Sequence, residues 1–182
     1  MNLSSNFLKE LLKLMIRINI KLLLFCLCFL FLRANAWSQV IDSIYYDWTV
    51  YEYNKRDEDK KCYIGATVKS STTSYTGDRN AYILITHFTR DDVEEVSINS
   101  GYEYKGNSSV YVLIGNKQFK LFTEEDLAWS MTRIQDKEMI QLMLESDIVR
   151  VRSDSAVGTY AIDEYSMKGL TRAYTRMREL CQ

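Results

Sequence analysis

The sequence has no proline and a single histidine, His87. Without proline it has no cis-prolyl turn and no proline-rich linker. One histidine rules out any site that needs two, and no second histidine is there to complete a metal set. No nucleophile motif surrounds a serine, and no Cys-x-x-Cys is present, so serine hydrolysis and thiol–disulfide exchange have no signature. Asp57-Glu58-Asp59 and Asp91-Asp92 lack the spacing and the glycine of a calcium loop and read as solvated turns. The formal net charge is only −1, which does not suggest a nucleic-acid partner. No catalytic, cofactor-binding or metal-binding residue is assigned.

What the sequence does contain is unevenly placed. Of 182 residues, 47% are hydrophobic and 26% charged, a globular composition. Residues 1–36 carry Lys9, Lys13, Arg17, Lys21 and Arg33 against the single acid Glu10. The rest of the chain holds 18 basic and 23 acidic residues, a balance of −5. Leu22–Leu32 is an uncharged run of eleven, about half of what a membrane-spanning helix requires. Basic residues before it and Ala34-Asn35-Ala36 after it describe a secretory signal peptide, 1–36, with Trp37 as the first mature residue. Met15 is the alternative true start, because it leaves a compact lead with two basic residues, Arg17 and Lys21. An uncleaved anchor and a mitochondrial presequence are the competing readings. Neither Cys26 nor Cys28 follows a small residue, so lipid modification is not expected. The expected location is the periplasm or cell surface, with no membrane span once the signal is removed.

Cleavage would leave two cysteines, Cys62 and Cys181. In an oxidising compartment an isolated pair is expected to join. Two buried thiols, or a bridge to another chain, remain alternatives.

The segment 37–182 reads as one β-rich domain. Asp47–Tyr53 alternates, with Trp48 and Val50 on one face and Tyr51 and Tyr53 on the other. Lys55–Lys61 reads as a charged connection, Cys62–Val68 as a strand and Ser70–Arg79 as a polar loop. Ala81–Phe88 is the strongest strand, and Val96 with Ile98 marks another. Val110–Ile114, Gly115-Asn116 and Phe119–Phe122 form a hairpin pattern. Asp136 is the expected cap of a helix to about Glu145, with Met139, Leu142 and Met143 inward. Ile148, Val149 and Val151 suggest a strand, as do Val157, Tyr160 and Ile162. Ser166 is the expected cap of a last helix whose inner stripe is Leu170, Ala173, Met177 and Leu180. The expected fold is mainly β with two short helices: an antiparallel β-sandwich or curled sheet, the C-terminal helix on an edge or end.

At this point the chain resembles the invasion-associated locus B family of bacterial envelope proteins. The resemblance runs over about residues 45–181. It rests on Asp47-Trp48-Thr49-Val50 with Lys60-Lys61-Cys62-Tyr63-Ile64, on Phe119-Lys120-Leu121-Phe122 with Ala128-Trp129, and on Gly158-Thr159-Tyr160-Ala161-Ile162-Asp163-Glu164-Tyr165-Ser166-Met167-Lys168-Gly169-Leu170 with Ala173-Tyr174 and Cys181. Many members carry a further cysteine soon after the opening tryptophan, where this chain has Tyr51, Glu52 and Tyr53. A mid-chain cysteine pair found in some members is also missing, which leaves Cys62–Cys181 as the intramolecular option. The resemblance implies an exported, non-catalytic, β-rich envelope protein linked by the family's name to virulence and host-cell invasion. It supplies no catalytic residues.

The signature residues have structural readings. Gly158 suits a turn, Tyr160 and Ile162 are expected to point into a core, and Asp163 or Ser166 to cap the last helix. Gly169 would permit close packing. An anion at that helix start is the functional alternative. Trp48 and Trp129 are expected in the core, and His87 as a satisfied structural residue. Asn107-Ser108-Ser109 matches a glycosylation acceptor that a bacterial envelope protein would not use.

Tyr51 with Tyr53 and Tyr102 with Tyr104 are the candidate interaction surface, for an envelope or host-surface protein or a glycan. Two further readings are a periplasmic hydrolase or isomerase using Asp163 and Glu164, and a small-ligand carrier with an apolar cavity lined by Ile83, Leu113 and Phe119. Adjacent strand residues face opposite ways, which argues against Asp163 and Glu164 acting together.

Overall fold

The computed structural model describes residues 40–53 and 61–182. The signal-peptide reading, the Met15 start, Trp37 and the charged residues 54–60 lie outside the described residues.

Among the described residues, eleven strands form one antiparallel sheet. In chain order they are β1 (Val40–Tyr45), β2 (Trp48–Tyr53), β3 (Lys61–Thr67), β4 (Ser70–Thr73), β5 (Tyr82–Phe88), β6 (Val93–Asn99), β7 (Ser109–Ile114), β8 (Lys117–Glu124), β9 (Leu127–Trp129), β10 (Ile148–Asp154) and β11 (Tyr160–Ser166). Helix α1 (Arg133–Leu144) follows β9, and α2 (Leu170–Leu180) ends the fold. The ladder runs β1-β2-β3-β5-β6-β9-β8-β7-β10-β11-β4, open at β1 and β4. Among the described residues, the expected mainly β fold with two helices is what forms, as a curled sheet.

The curl follows from connectivity. Strands β3 and β4 are joined by only Val68 and Lys69, yet they stand third and last in the ladder. The sheet must therefore bend until its far end returns to β3. Val68 N–H still bonds on the β5 side, to the Ala81 carbonyl at 3.3 Å, while the next residue, Lys69, donates to the Glu164 carbonyl of β11 at 2.8 Å across this seam.

Alternation puts one face of every strand inside. Val50, Ile64, Ile83, Ile85, Ile98 and Val151 are fully buried, and each such side chain contributes about 1.5–3 kcal/mol. Both helices lay apolar stripes on this core: Met139, Ile140 and Met143 from α1, and Leu170, Ala173 and Met177 from α2.

Several expectations are corrected. Ser70–Thr73, read as loop, is an edge strand. All four residues are exposed, so no apolar alternation marks them. Lys61 belongs to β3, not to the charged connection. Val157 lies in an exposed turn. Tyr160 and Ile162 are on the outer face of β11, and the inward set is Ala161, Asp163 and Tyr165. Asp136 does not cap α1. Thr132 does, its Oγ1 accepting from Gln135 N–H, while Gln135 Oε1 accepts from Met131 N–H. Asp136 sits one turn in and accepts from Val96 N–H at 3.0 Å, on the flank of β6 where β9 has stopped. Ser166 and Asp163 do not cap α2. Its N-cap is Gly169, at φ 95°, where a Cβ would overlap the Tyr45 carbonyl.

Candidate functional site

The outer face of β2, β3, β5 and β6 carries a cleft of about 720 Å³. Its shape follows from the register. Tyr51 pairs with Tyr63, Tyr63 with Thr86 and Thr86 with Glu95, which makes one row across the strands. The next row is Thr49, Gly65 and Leu84. A tall aromatic row therefore stands beside a low one, and Gly65 supplies the low point. A Cβ there would come within 2.6 Å of Leu84 Cδ2. The Tyr51 and Tyr63 rings stack at 4.9 Å and 16°. At one end the Lys61 ammonium lies 5.6 Å from the Tyr53 ring centre and 5.5 Å from that of Phe88. Burial, reinforced by the Asp136 charge, raises the Glu95 carboxyl above its ordinary range, and Lys61 opposes this. Threonine hydroxyls at 49, 67 and 86 interleave with the aromatics. The cleft thus offers ring edges, hydroxyls and charges of both signs.

The four tyrosines singled out from sequence separate. Tyr51 and Tyr53 line the cleft. Tyr102 and Tyr104 do not form a surface: they are 7% and 4% exposed and lie outside the strands. Their hydroxyls instead join an internal chain. Tyr102 Oη donates to Ser153 Oγ at 2.7 Å, Ser153 Oγ to Ser100 Oγ at 2.9 Å, and Ser100 Oγ to Tyr104 Oη at 3.0 Å. Tyr104 Oη donates at last to the Ile98 carbonyl at 3.1 Å. Burial pushes the Tyr104 hydroxyl well above its usual range.

Beside this chain lies a buried ion pair that sequence reasoning missed. Arg79 Nη1 and Nη2 donate to Asp163 Oδ2 and Oδ1 at 2.9 and 2.6 Å. Ser71 Oγ donates to Asp163 Oδ1 at 2.6 Å, and Arg79 Nη1 also donates to the Ser100 carbonyl at 2.7 Å. The Arg79 and Asp163 side chains are 8% and 0% exposed. Asp163 holds a structural salt bridge, while Glu164 faces outward to Arg150 and Ser70. The two acids do not converge.

The other signature residues are structural. Trp48 is fully buried, and its indole N–H donates to the Ser166 carbonyl at 3.0 Å. Trp129, expected in the core, is half-buried on the outer face, stacked on exposed Phe122 at 5.7 Å. Ala128, next to Trp129 and paired with Thr123, points inward. Gly158 turns the chain at φ 82°, and Thr159 N–H donates to Ser155 Oγ. Tyr165 is buried, and its hydroxyl has no hydrogen-bond partner among the described residues. Ser166 Oγ accepts from Lys168 N–H in the turn before α2.

Cys62 and Cys181 are joined, with Cα atoms 5.9 Å apart and 119 residues of separation. His87 is directly cross-strand from Cys62. Its ring is buried, and Nδ1 lies 3.1 Å from Arg178 Nη1. Burial, helped by the Arg178 charge, lowers the His87 pKa. Ile83 and Phe119 are core residues, whereas Leu113 takes the opposite face of β7, so these three do not line one cavity.

Among the described residues, no three of histidine, cysteine, aspartate and glutamate converge as a metal-ligand set. No helix among them is long and apolar enough to cross a membrane. No family model matches the chain, and neither a curated protein nor a solved structure matches it.

Proposed function

We propose that this chain is an exported, non-catalytic envelope protein that works by contact, as its resemblance to invasion-associated locus B proteins implies. The observation that carries the reading is the tyrosine-lined cleft around Gly65, built on paired strands of the sheet. Aromatic rings with polar tips give large contact area at small entropic cost, which suits a protein or glycan partner on an envelope or host surface. The Cys62–Cys181 bridge supports export, because such bridges persist in oxidising compartments. A role in host-cell invasion would follow from the partner bound, not from chemistry performed.

The cleft volume also favours a second reading, a small-ligand carrier, since ligand pockets typically run from about 300 to 1,000 Å³. Both readings meet one experiment. The purified protein is presented to envelope extract, host-cell surfaces and a glycan and metabolite panel, beside Tyr51→Ala and Gly65→Val. Retention that both substitutions abolish supports the contact site, and the class retained separates partner from carrier. Binding that both leave intact would move the contact elsewhere.

A further inference from the structure

A second exposed apolar patch lies away from the tyrosine cleft, where β9 gives way to α1. Phe122 is 41% exposed, Met131 69% and Ile134 82%. Trp129 stacks on Phe122 and completes the group. Their proximity follows from the local fold. β9 pairs only three residues with β6 and three with β8 and then stops. Helix α1 continues in the gap. Its Asp136 accepts from Val96 N–H of β6, and its Gln135 Nε2 donates to the Lys120 carbonyl of β8 at 3.1 Å. Further along, Lys117 of β8 meets Glu138 of α1. The start of α1 therefore lies beside Lys120 and Phe122 on the outer surface.

The exposure is held in place. Thr132 and Gln135 fix the first turn from both sides. Met131 precedes the cap, where an apolar residue commonly packs on the fourth helical residue. Here the fourth residue is Asp136, turned to β6, so Met131 is left outside with Ile134. Nothing in the packing of α1 uses either side chain, since its buried residues are Asp136, Met139, Ile140 and Met143.

The charges around the patch are polarised. Exposed Lys120, Arg133 and Lys137 lie on the helix side, where exposed Glu138 is paired with Lys117, and exposed Glu124, Glu125 and Asp126 lie on the side of the β8–β9 turn. Lys137 is one helical turn from Ile134, about 5 Å, and Glu124 is two strand residues from Phe122, about 7 Å. An apolar centre with a basic and an acidic flank at similar distances complements itself. A twofold axis through the centre sets each basic flank on the acidic flank of the other copy. An anionic bilayer would instead meet three acids at the turn.

We propose that this patch is a contact between two copies of this chain, centred on Phe122, Trp129, Met131 and Ile134. The contact is small, so the dimer is weak and forms at high local concentration.

Sedimentation of the protein, as the expressing cell processes it, tests this over about 1–200 μM, where micromolar dimers dissociate. Mass-action dimerisation is expected. Ile134→Asp should leave a monomer with unchanged circular dichroism, because the side chain touches little in the fold. Lys137→Glu or Glu124→Lys alone should each weaken the dimer by about tenfold, and the double variant should restore it. A monomer throughout the range, a dimer indifferent to Ile134→Asp, or a double variant no better than the singles would overturn the proposal. A monomer that binds phosphatidylglycerol vesicles through Ile134 would give the patch to a lipid surface. Failure of these tests would leave the tyrosine cleft untouched, since no residue is shared.

Discussion

Arg79 and Asp163, separated by 84 residues, meet as a bidentate ion pair inside the curled sheet, where the edge strand β4 lies against β11. Asp163 projects inward from β11, and Arg79 reaches it from the connection that leads into β5. The pair also engages Ser71 of β4 and the Ser100 carbonyl just after β6. One interaction thus ties together the segments that close the curl.

Removing one partner strands the other charge in the interior. Asp163→Ala or Arg79→Ala should each cost about 3–5 kcal/mol, read as a fall in the urea midpoint. Replacing both, as Arg79→Met with Asp163→Leu, should cost much less than either single change, because no unpaired charge remains.

Two buried tyrosines should respond oppositely to loss of the hydroxyl. The Tyr165 hydroxyl has no partner among the described residues, so Tyr165→Phe should be neutral or stabilising by up to about 1 kcal/mol. Tyr104 ends a hydroxyl chain and bonds both Ser100 and Ile98, so Tyr104→Phe should cost about 1–3 kcal/mol. Thermal unfolding of the two variants checks the contrast.

Much of this frame was legible in the sequence. Ile83 and Ile85 alternating with Tyr82 and Leu84 marked β5, and Gly115-Asn116 between alternating runs marked the β7–β8 hairpin. The cysteine pair was legible because the expected signal peptide would take Cys26 and Cys28 with it, leaving Cys62 and Cys181. The ion pair was not, because Arg79 and Asp163 share no local pattern and meet only once the sheet has curled. Tyr102 and Tyr104 look like a strand face, but they are drawn inside by Ser153 and Ser100, which sequence spacing does not reveal. The cap of α1 is written in Thr132-x-x-Gln135, four residues ahead of Asp136, whose carboxylate serves β6 instead. Half the cleft was foreseen, in Tyr51 and Tyr53. Tyr63, Gly65 and Tyr82 join them only through strand register.

Glycines at positive φ should differ in cost by what a Cβ would meet. Gly115 and Gly158 face open space, so alanine there should cost about 1–2 kcal/mol from backbone conformation alone. At Gly169 the added Cβ also collides with the Tyr45 carbonyl, so Gly169→Ala should cost more than either and loosen α2. Hydrogen exchange across Leu170–Leu180 reads that loosening.

Acid should weaken the fold in two steps. Burial lowers the His87 pKa below its unfolded value of 6.5, so the unfolded chain binds the extra proton first. Stability is full above that value and should fall as pH drops below about 6.5. His87→Gln should flatten this step. The Arg176 guanidinium holds Asp42 down at about 2, against an ordinary 3.8, so its contribution is present above the ordinary value. It is lost only as pH falls toward 2, and Asp42→Asn removes that later step. Denaturation midpoints from pH 8 to 2 separate the two.

Export into an oxidising compartment is the claim on which the functional account stands, and intact mass of the native protein from fractionated cells tests it most directly, with thiol labelling before and after reduction. The account predicts an envelope protein beginning at Trp37, about two hydrogens lighter than its sequence, that takes label at Cys62 and Cys181 only after reduction. A full-length protein in the cytosolic fraction, labelled at both cysteines without reductant, would contradict it.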